Sequence, residues 1–189
     1  GIPAKSNGFI YWGGEFQRSR YLNMIGKAEP FLSICKSLLN KFSNDGRNII
    51  FVAERIKLIE NLFNQLTIVN KSKFIGSAKN DQLSYQVVFA TPGKIRDGCD
   101  LPKADCLIMT SPIGNIEQMV GRTEREYEGK KDVIIVDMVD LAFSRIKSTL
   151  HNRIKFYEKK NWNIKYIYIS KDGSKKELMK KEVTKILNE

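Results

Sequence analysis

Four short runs of almost wholly apolar residues constrain the fold of this 189-residue chain more than any other feature. They are 48–53 (NIIFVA), 86–90 (QVVFA), 106–111 (CLIMTS) and 132–138 (DVIIVDM). Runs this short, with no polar alternation, are expected of parallel strands covered by helices on both faces. Amphipathic segments stand between them. Glu29-Pro30 opens one helix, with Pro in the first turn where its missing N–H costs little. Phe31, Ile34, Cys35, Leu38, Leu39 and Phe42 follow at helical spacing, and Asn44-Asp45-Gly46 ends it. A second helix carries Ile56, Ile59, Leu62, Phe63 and Leu66. Strands alternating with helices predict an α/β fold built on a mainly parallel sheet flanked by helices.

The remaining segments are read the same way. Residues 67–69 make a weak strand, and residues 74–77 continue it toward a glycine loop. Residues 141–159 make a long helix, with Leu141, Ile146, Leu150, Ile154, Phe156 and Tyr157 as its apolar positions. Residues 163–170 alternate as an edge strand, and residues 174–187 close the chain as a lysine-rich helix, with Ser174 as N-cap and Glu177 at N3. Residues 1–24 show no clean period and read as a lead-in segment. Their aromatics interleaved with Arg18 and Arg20 leave a base-stacking platform as the alternative. The expected organisation is a lead-in over 1–24, a main domain over 25–160 and a basic strand–helix extension of that domain over 161–189.

Charge narrows the partners. Lys and Arg number 32 against 21 Asp and Glu, a formal net charge of +11. Residues 141–189 hold 13 of these cations and only 5 of the acids. Such an excess favours a polyanion, nucleic acid before membrane, since no long amphipathic basic helix is obvious. For the tail lysines two readings stand, a solvated helix face and a stripe facing phosphates. Cys35, Cys99 and Cys106 form no C-x-x-C pair and read as reduced core thiols of an intracellular, soluble protein. No apolar run approaches the ~18 residues a membrane span needs. His151 stands alone, so no metal site is expected. The chain begins at Gly1 without Met, which suggests a piece of a longer protein.

The chemistry concentrates in residues 87–125. An apolar run ends in Ala90-Thr91-Pro92-Gly93, a loop carries Asp97-Gly98-Cys99-Asp100-Leu101-Pro102, and a second apolar run follows. After it comes Gln118-Met119-Val120-Gly121-Arg122-Thr123-Glu124-Arg125. The three-residue spacing of Arg122 and Arg125 places both guanidinium groups on one face of a helix. Two fixed cations suit a triphosphate better than one carboxylate, because its charge is spread over several oxygens.

These motifs, Ala-Thr-x-Gly, Asp-Gly-x-Asp-x-Pro and Gln-x-x-Gly-Arg-x-x-Arg in order, resemble motifs V and VI of superfamily 2 helicases. The resemblance is to the C-terminal RecA-like lobe, and within it to phage, viral and XPB-like DNA helicases. It implies that Thr91 and Gly93 touch a nucleic-acid backbone, while Gly98, Asp100 and Gln118 face the nucleotide. Arg122 and Arg125 would be the catalytic arginine fingers at the γ-phosphate. The strand–helix pair 48–66 resembles motif IV, making Arg55 a phosphate contact, with a solvated surface Arg as the equal alternative. Ser77 and Lys79 fall where relatives carry a loop against the backbone. No G-x-x-x-x-G-K-[ST] occurs, nor an acidic metal box. ATP and Mg²⁺ would therefore be shared with an N-terminal RecA-like lobe, and the chain alone should not hydrolyse ATP. DNA, single-stranded or forked, is the expected partner ahead of RNA, with a location in the cytoplasm or at sites of viral or phage DNA replication. Two other readings stand beside this one. One is a nucleic-acid-binding or strand-annealing module with a helicase-like fold and no ATPase role; the other is a protein–protein adaptor.

Overall fold

The computed structural model describes residues 11–12, 15–96, 99–114, 116–141, 143–170 and 172–188. They group into two compact units, Arg18–Met138 and a second made of Gly1–Gln17 with Val139–Glu189.

The larger unit contains α1 (Arg18–Ile25), α2 (Glu29–Asn44), β3 (Ile49–Val52), α3 (Ile56–Gln65), β4 (Lys71–Phe74), β5 (Val87–Ala90), α4 (Pro92–Arg96), β6 (Cys106–Met109), α5 (Glu117–Thr123) and β7 (Ile134–Asp137); β1 (Tyr11–Trp12) and β2 (Glu15–Phe16) precede them in the other unit. The five strands form one sheet in the order β4-β5-β3-β6-β7, and every pairing is parallel. The sequence expectation of an α/β sheet flanked by helices is met, and the fold is RecA-like.

All residues of β3, β5 and β6 are buried, which is why their runs show no alternation. One sheet face carries Ile49, Phe51, Val87, Phe89, Cys106 and Ile108, packed with Leu32, Cys35, Leu39 and Phe42 of α2 and Leu58, Ile59 and Leu62 of α3. Phe51 and Phe63 lie 5.3 and 5.7 Å from the Phe89 ring, so the aromatic weight of the core centres on β5. Each fully buried side chain of this kind stabilises the fold by roughly 1.5–3 kcal/mol relative to exposure. Burial also holds the Cys35 and Cys106 thiols up at about 12, inert as nucleophiles.

The weak strand expected at 67–69 is not formed; Val69 is 95% exposed. The strand is β4, whose sequence Lys-Ser-Lys-Phe alternates half-buried and buried residues as an edge strand does. Its lysines have local work. Lys71 Nζ donates to the Phe63 carbonyl at 2.5 Å and to the Leu66 carbonyl, closing the end of α3, and lies 4.6 Å from the Phe63 ring centre. At the amino ends of the inner strands β3 and β6, the buried Asp105 carboxylate accepts the Asn48 N–H at 3.1 Å and faces Arg47 at 3.7 Å. Arg47 also donates to the Asp132 carbonyl at 2.8 Å, so one guanidinium ties together the entries to β3, β6 and β7.

The second unit holds the β1 (Tyr11–Trp12) and β2 (Glu15–Phe16) hairpin, α6 (Ser144–Lys159), β8 (Tyr166–Ile169), β9 (Lys175–Leu178) and α7 (Lys180–Asn188). Within it the Phe16 and Phe143 rings lie 5.9 Å apart. Three expectations change here. The strand in 163–170 is not an edge of the parallel sheet but pairs antiparallel with β9. Residues 175–178, expected to be helical, form that partner strand. Helix α7 therefore starts later, and Ser174 is part of the hairpin turn instead of an N-cap. The capping contact is Glu182, whose carboxylate accepts the Met179 N–H at 2.8 Å. The units divide at Gln17/Arg18 and at Met138/Val139, so α1 groups with the sheet and α6 with the residues that follow it.

Candidate functional site

Strand register determines which loops share an edge. Val52 pairs with Ala90 and Met109, Ala90 with Phe74, and Met109 with Asp137, so the five strands end in one row. The segments leaving that row carry Arg55, the loop 75–79, Thr91 with Gly93, and the turn 110–113. This carboxyl edge is where open parallel sheets receive ligands.

Arg55 stands at the N-cap position of α3, half-buried, and its Nε is shielded from solvent with no hydrogen-bond partner among the described residues. Its neighbour Glu54 is held by Arg18, which also donates to the Pro112 carbonyl at 2.9 Å. Thus α1 straps the exits of β3 and β6, a role the sequence did not signal. Thr91 is half-buried at the end of β5, and α4 begins at the next residue. Lys94 donates to the Ala78 carbonyl at 2.9 Å and sits 4.8 Å from the Phe74 ring centre. That bond brings the Gly93 turn beside the loop holding Ser77 and Lys79, both exposed. A Cβ on Gly93 would meet nothing within 4 Å, so the space over this turn is open.

The opposite, amino edge of the sheet holds the second group. The chain leaves β5 at Thr91, runs back through α4, and reaches Asp100 near Asn48 and Gln86, the residues that precede β3 and β5. These line, with Tyr85, Pro102 and Lys103, a cleft of about 220 Å³. The same segment must pass β3 to enter β6, so it lies where the strand order reverses. Arg122, in the last turn of α5, donates to the Arg96 carbonyl at 2.8 Å and to the Cys99 carbonyl. Arg125 Nη1 lies 2.5 Å from Asp100 Oδ1.

The arginines therefore converge, but not as expected. Helix α5 ends at Thr123, with Glu124 as its C-cap, and Arg125 lies beyond it. The pair meets because both side chains grip one loop, not because they share a helical face. Lys130 makes this possible: its ammonium caps the Thr123 and Arg125 carbonyls at 2.6 and 2.8 Å, and burial lowers its pKa. Its only sequence signal was the turn at Gly129, whose φ is +74°. Gln118 is exposed, one helical turn before Arg122. Gly98 lies outside the described residues. Burial raises the Cys99 thiol against the pull of Arg122, so Cys99 is a packing residue. Among the described residues no cluster of His, Cys, Asp and Glu could hold a metal, and no helix is long and apolar enough to cross a membrane.

The exposed Arg125–Asp100 pair is only loosely held. Its side chains are 55% and 62% exposed, and pairs so hydrated contribute ~0.2–1 kcal/mol. A phosphate could take the guanidinium from Asp100 at small cost.

No family model matches the chain. Sequence comparison finds helicases. ATP-dependent RNA helicase L396 of Acanthamoeba polyphaga mimivirus is 28% identical over 148 residues, covering 74% of this chain and 28% of the relative. Helicase D10 of Escherichia phage T5 is 30% identical over 141 residues, covering 67% and 31%. ATP-dependent RNA helicase QP509L of African swine fever virus is 26% identical over 162 residues, covering 77% and 32%. The chain thus spans less than a third of these curated relatives. In structure it is similar to the C-terminal part of the Fun30 ATPase domain, with a TM-score of 0.52 over 87% of this chain and 53% of that one, at 12% identity. The chain has a RecA-like α/β fold, similar in sequence to viral and phage helicases and in structure to the C-terminal part of the Fun30 ATPase domain.

Proposed function

We propose that the chain is the second RecA-like lobe of an ATP-dependent superfamily 2 helicase or translocase that acts on DNA. The observation carrying this reading is the path of one segment. Thr91 stands at the edge where Arg55, Gly93 and Lys79 gather, while Asp100 stands at the other edge with Arg122 and Arg125. A four-residue parallel strand rises about 13 Å, so Thr91 and Asp100, nine residues apart in sequence, stand about one strand length apart and tie the two groups together.

In this reading, Arg55 and Lys79 neutralise backbone phosphates, and the Thr91 hydroxyl and open Gly93 turn accept the strand closely. The amino-edge donors fit a nucleotide: Arg125 is exposed on a weak pair, Gln118 is exposed on the same side of α5 as Arg122, and Asp100 can accept a ribose hydroxyl. ATP with Mg²⁺, held mainly by a first lobe, would supply phosphoryl transfer. Arg125 would leave Asp100 to neutralise charge on the γ-phosphate. Arg122 would hold the Arg96 and Cys99 carbonyls while its remaining N–H groups face the same phosphates. Arg122, drawn toward the nucleotide with the Arg96 and Cys99 carbonyls, would pull the segment that begins at Thr91, so closure and backbone grip would change together.

The test uses this chain alone and rejoined to its first lobe. The chain alone is expected to show negligible ATP turnover with or without nucleic acid. The rejoined protein is expected to turn over ATP with stimulation by single-stranded or forked DNA greater than by RNA of the same sequence. Robust turnover by the chain alone would overturn the two-lobe reading, and stronger stimulation by RNA would overturn the DNA assignment. A binding or annealing module without ATPase function is the second reading, favoured only by the charge of residues 141–189.

A further inference from the structure

Helix α6 divides sharply by face. Ile146, Arg153, Ile154 and Tyr157 are 1–9% exposed and form its packed side. Arg145, Ser148, Asn152, Lys155 and Lys159 are all exposed, at successive spacings of three and four, so they form one stripe. At 1.5 Å per residue that stripe is about 21 Å long. Among the described residues none of its three cations enters an ion pair. The one acid of the helix, Glu158, lies to the side and is held by Lys180 at 2.7 Å. A stripe that is cationic and hydrogen-bonding throughout, within a segment of 13 cations and 5 acids, is complementary to a polyanion.

We propose that this face of α6 is a nucleic-acid backbone site, separate from the loops at the carboxyl edge of the sheet. Lys155 and Lys159, about 6 Å apart along the axis, take successive phosphates, Arg145 takes one farther along, and Ser148 and Asn152 donate between them. Contacts to phosphates alone carry no sequence information, so the site binds without sequence preference. The stripe carries no exposed apolar side chain to enter a bilayer or anchor a protein interface, which favours nucleic acid over an anionic membrane or an acidic protein. The ligand class rests on the helicase reading above; the location does not.

The test is fluorescence anisotropy of the 189-residue chain with a labelled 20-nucleotide single strand, titrated over salt. In Arg145→Gln/Lys155→Gln/Lys159→Gln, the slope of log affinity against log salt is expected to fall in magnitude by about 2, from ~0.7 per phosphate contact. The melting temperature should not change, since the three side chains are exposed. Neutralising Lys27 and Lys41, exposed near and on α2, should leave the slope nearly intact. An unchanged slope in the triple variant overturns the proposal, as does equal loss in the Lys27/Lys41 control. Binding that is strong to phosphatidylserine vesicles but absent with the oligonucleotide also overturns it. Arg55→Gln/Lys79→Gln separates the two readings. Loss there with an intact triple variant keeps the sheet-edge site and removes this one, and the reverse pattern does the opposite.

Discussion

Asp105 is 2% exposed, and burial holds its carboxyl above the usual range, although Arg47 and the Asn48 N–H pull the other way. Its charge is thus a net liability that its partners only partly offset. The folded chain takes up the Asp105 proton at a higher pH than the unfolded chain, so it binds more protons across that window. Stability therefore falls as pH rises through the raised value. In Asp105→Asn the amide oxygen still accepts the Asn48 N–H and no charge remains. Chemical denaturation from pH 7.5 down to pH 3.5 is expected to show wild type gaining on the variant as acid is added, with the gain ending near the ordinary Asp value of about 3.9. A gap that widens the other way would mean that the Arg47 pair dominates.

Among the elements, the central strands and the two flanking helices α2 and α3 were legible because burial on both faces removes polar residues, leaving a hydropathy signal that needs no tertiary context. Strand β4 was not, since half of its residues face water and its lysines are held by Phe63 and the end of α3, partners remote from its own pattern. Residues 175–178 look like a helix start in sequence because Ser174 and Glu177 stand at capping-box spacing in a lysine-rich run. They are a strand because Tyr166–Ile169 offers a partner across a turn. The neglected signal was Asp172-Gly173, a hairpin dipeptide. Gly173 has φ +84°, Asp172 accepts the Ser174 N–H at 3.0 Å, and the Ser170 and Gly173 backbones close the turn. Gly173→Ala meets no steric neighbour, so its cost is the left-handed conformation alone, about 1 kcal/mol. Hydrogen exchange should show faster opening of β8 and β9 with the amides of β3, β5 and β6 unchanged. Unchanged protection in the hairpin would mean that its packing, not its turn, determines its order.

At the scale of the whole molecule, the candidate site is one connection read at both ends. Motif spacing made Thr91, Asp100, Arg122 and Arg125 legible as residues. It did not reveal that Thr91 and Asp100 stand at opposite edges of the sheet, because that depends on α4 turning the chain back along it. Nor did it reveal that Arg125 lies past the end of α5, because the C-cap at Glu124 and the Lys130 ammonium are what place it. The proposed function turns on the release of Arg125 from Asp100 to a nucleotide phosphate. Its most direct test is Arg125→Ala in the protein rejoined to its first lobe, with DNA-stimulated kcat and melting temperature measured together. The expected result is a loss in kcat on the order of 10³ or more with modest change in ATP affinity, poor rescue by Arg125→Lys, and a melting temperature close to wild type. Near-normal kcat with a lowered melting temperature would contradict the account and make the Asp100 pair a structural contact.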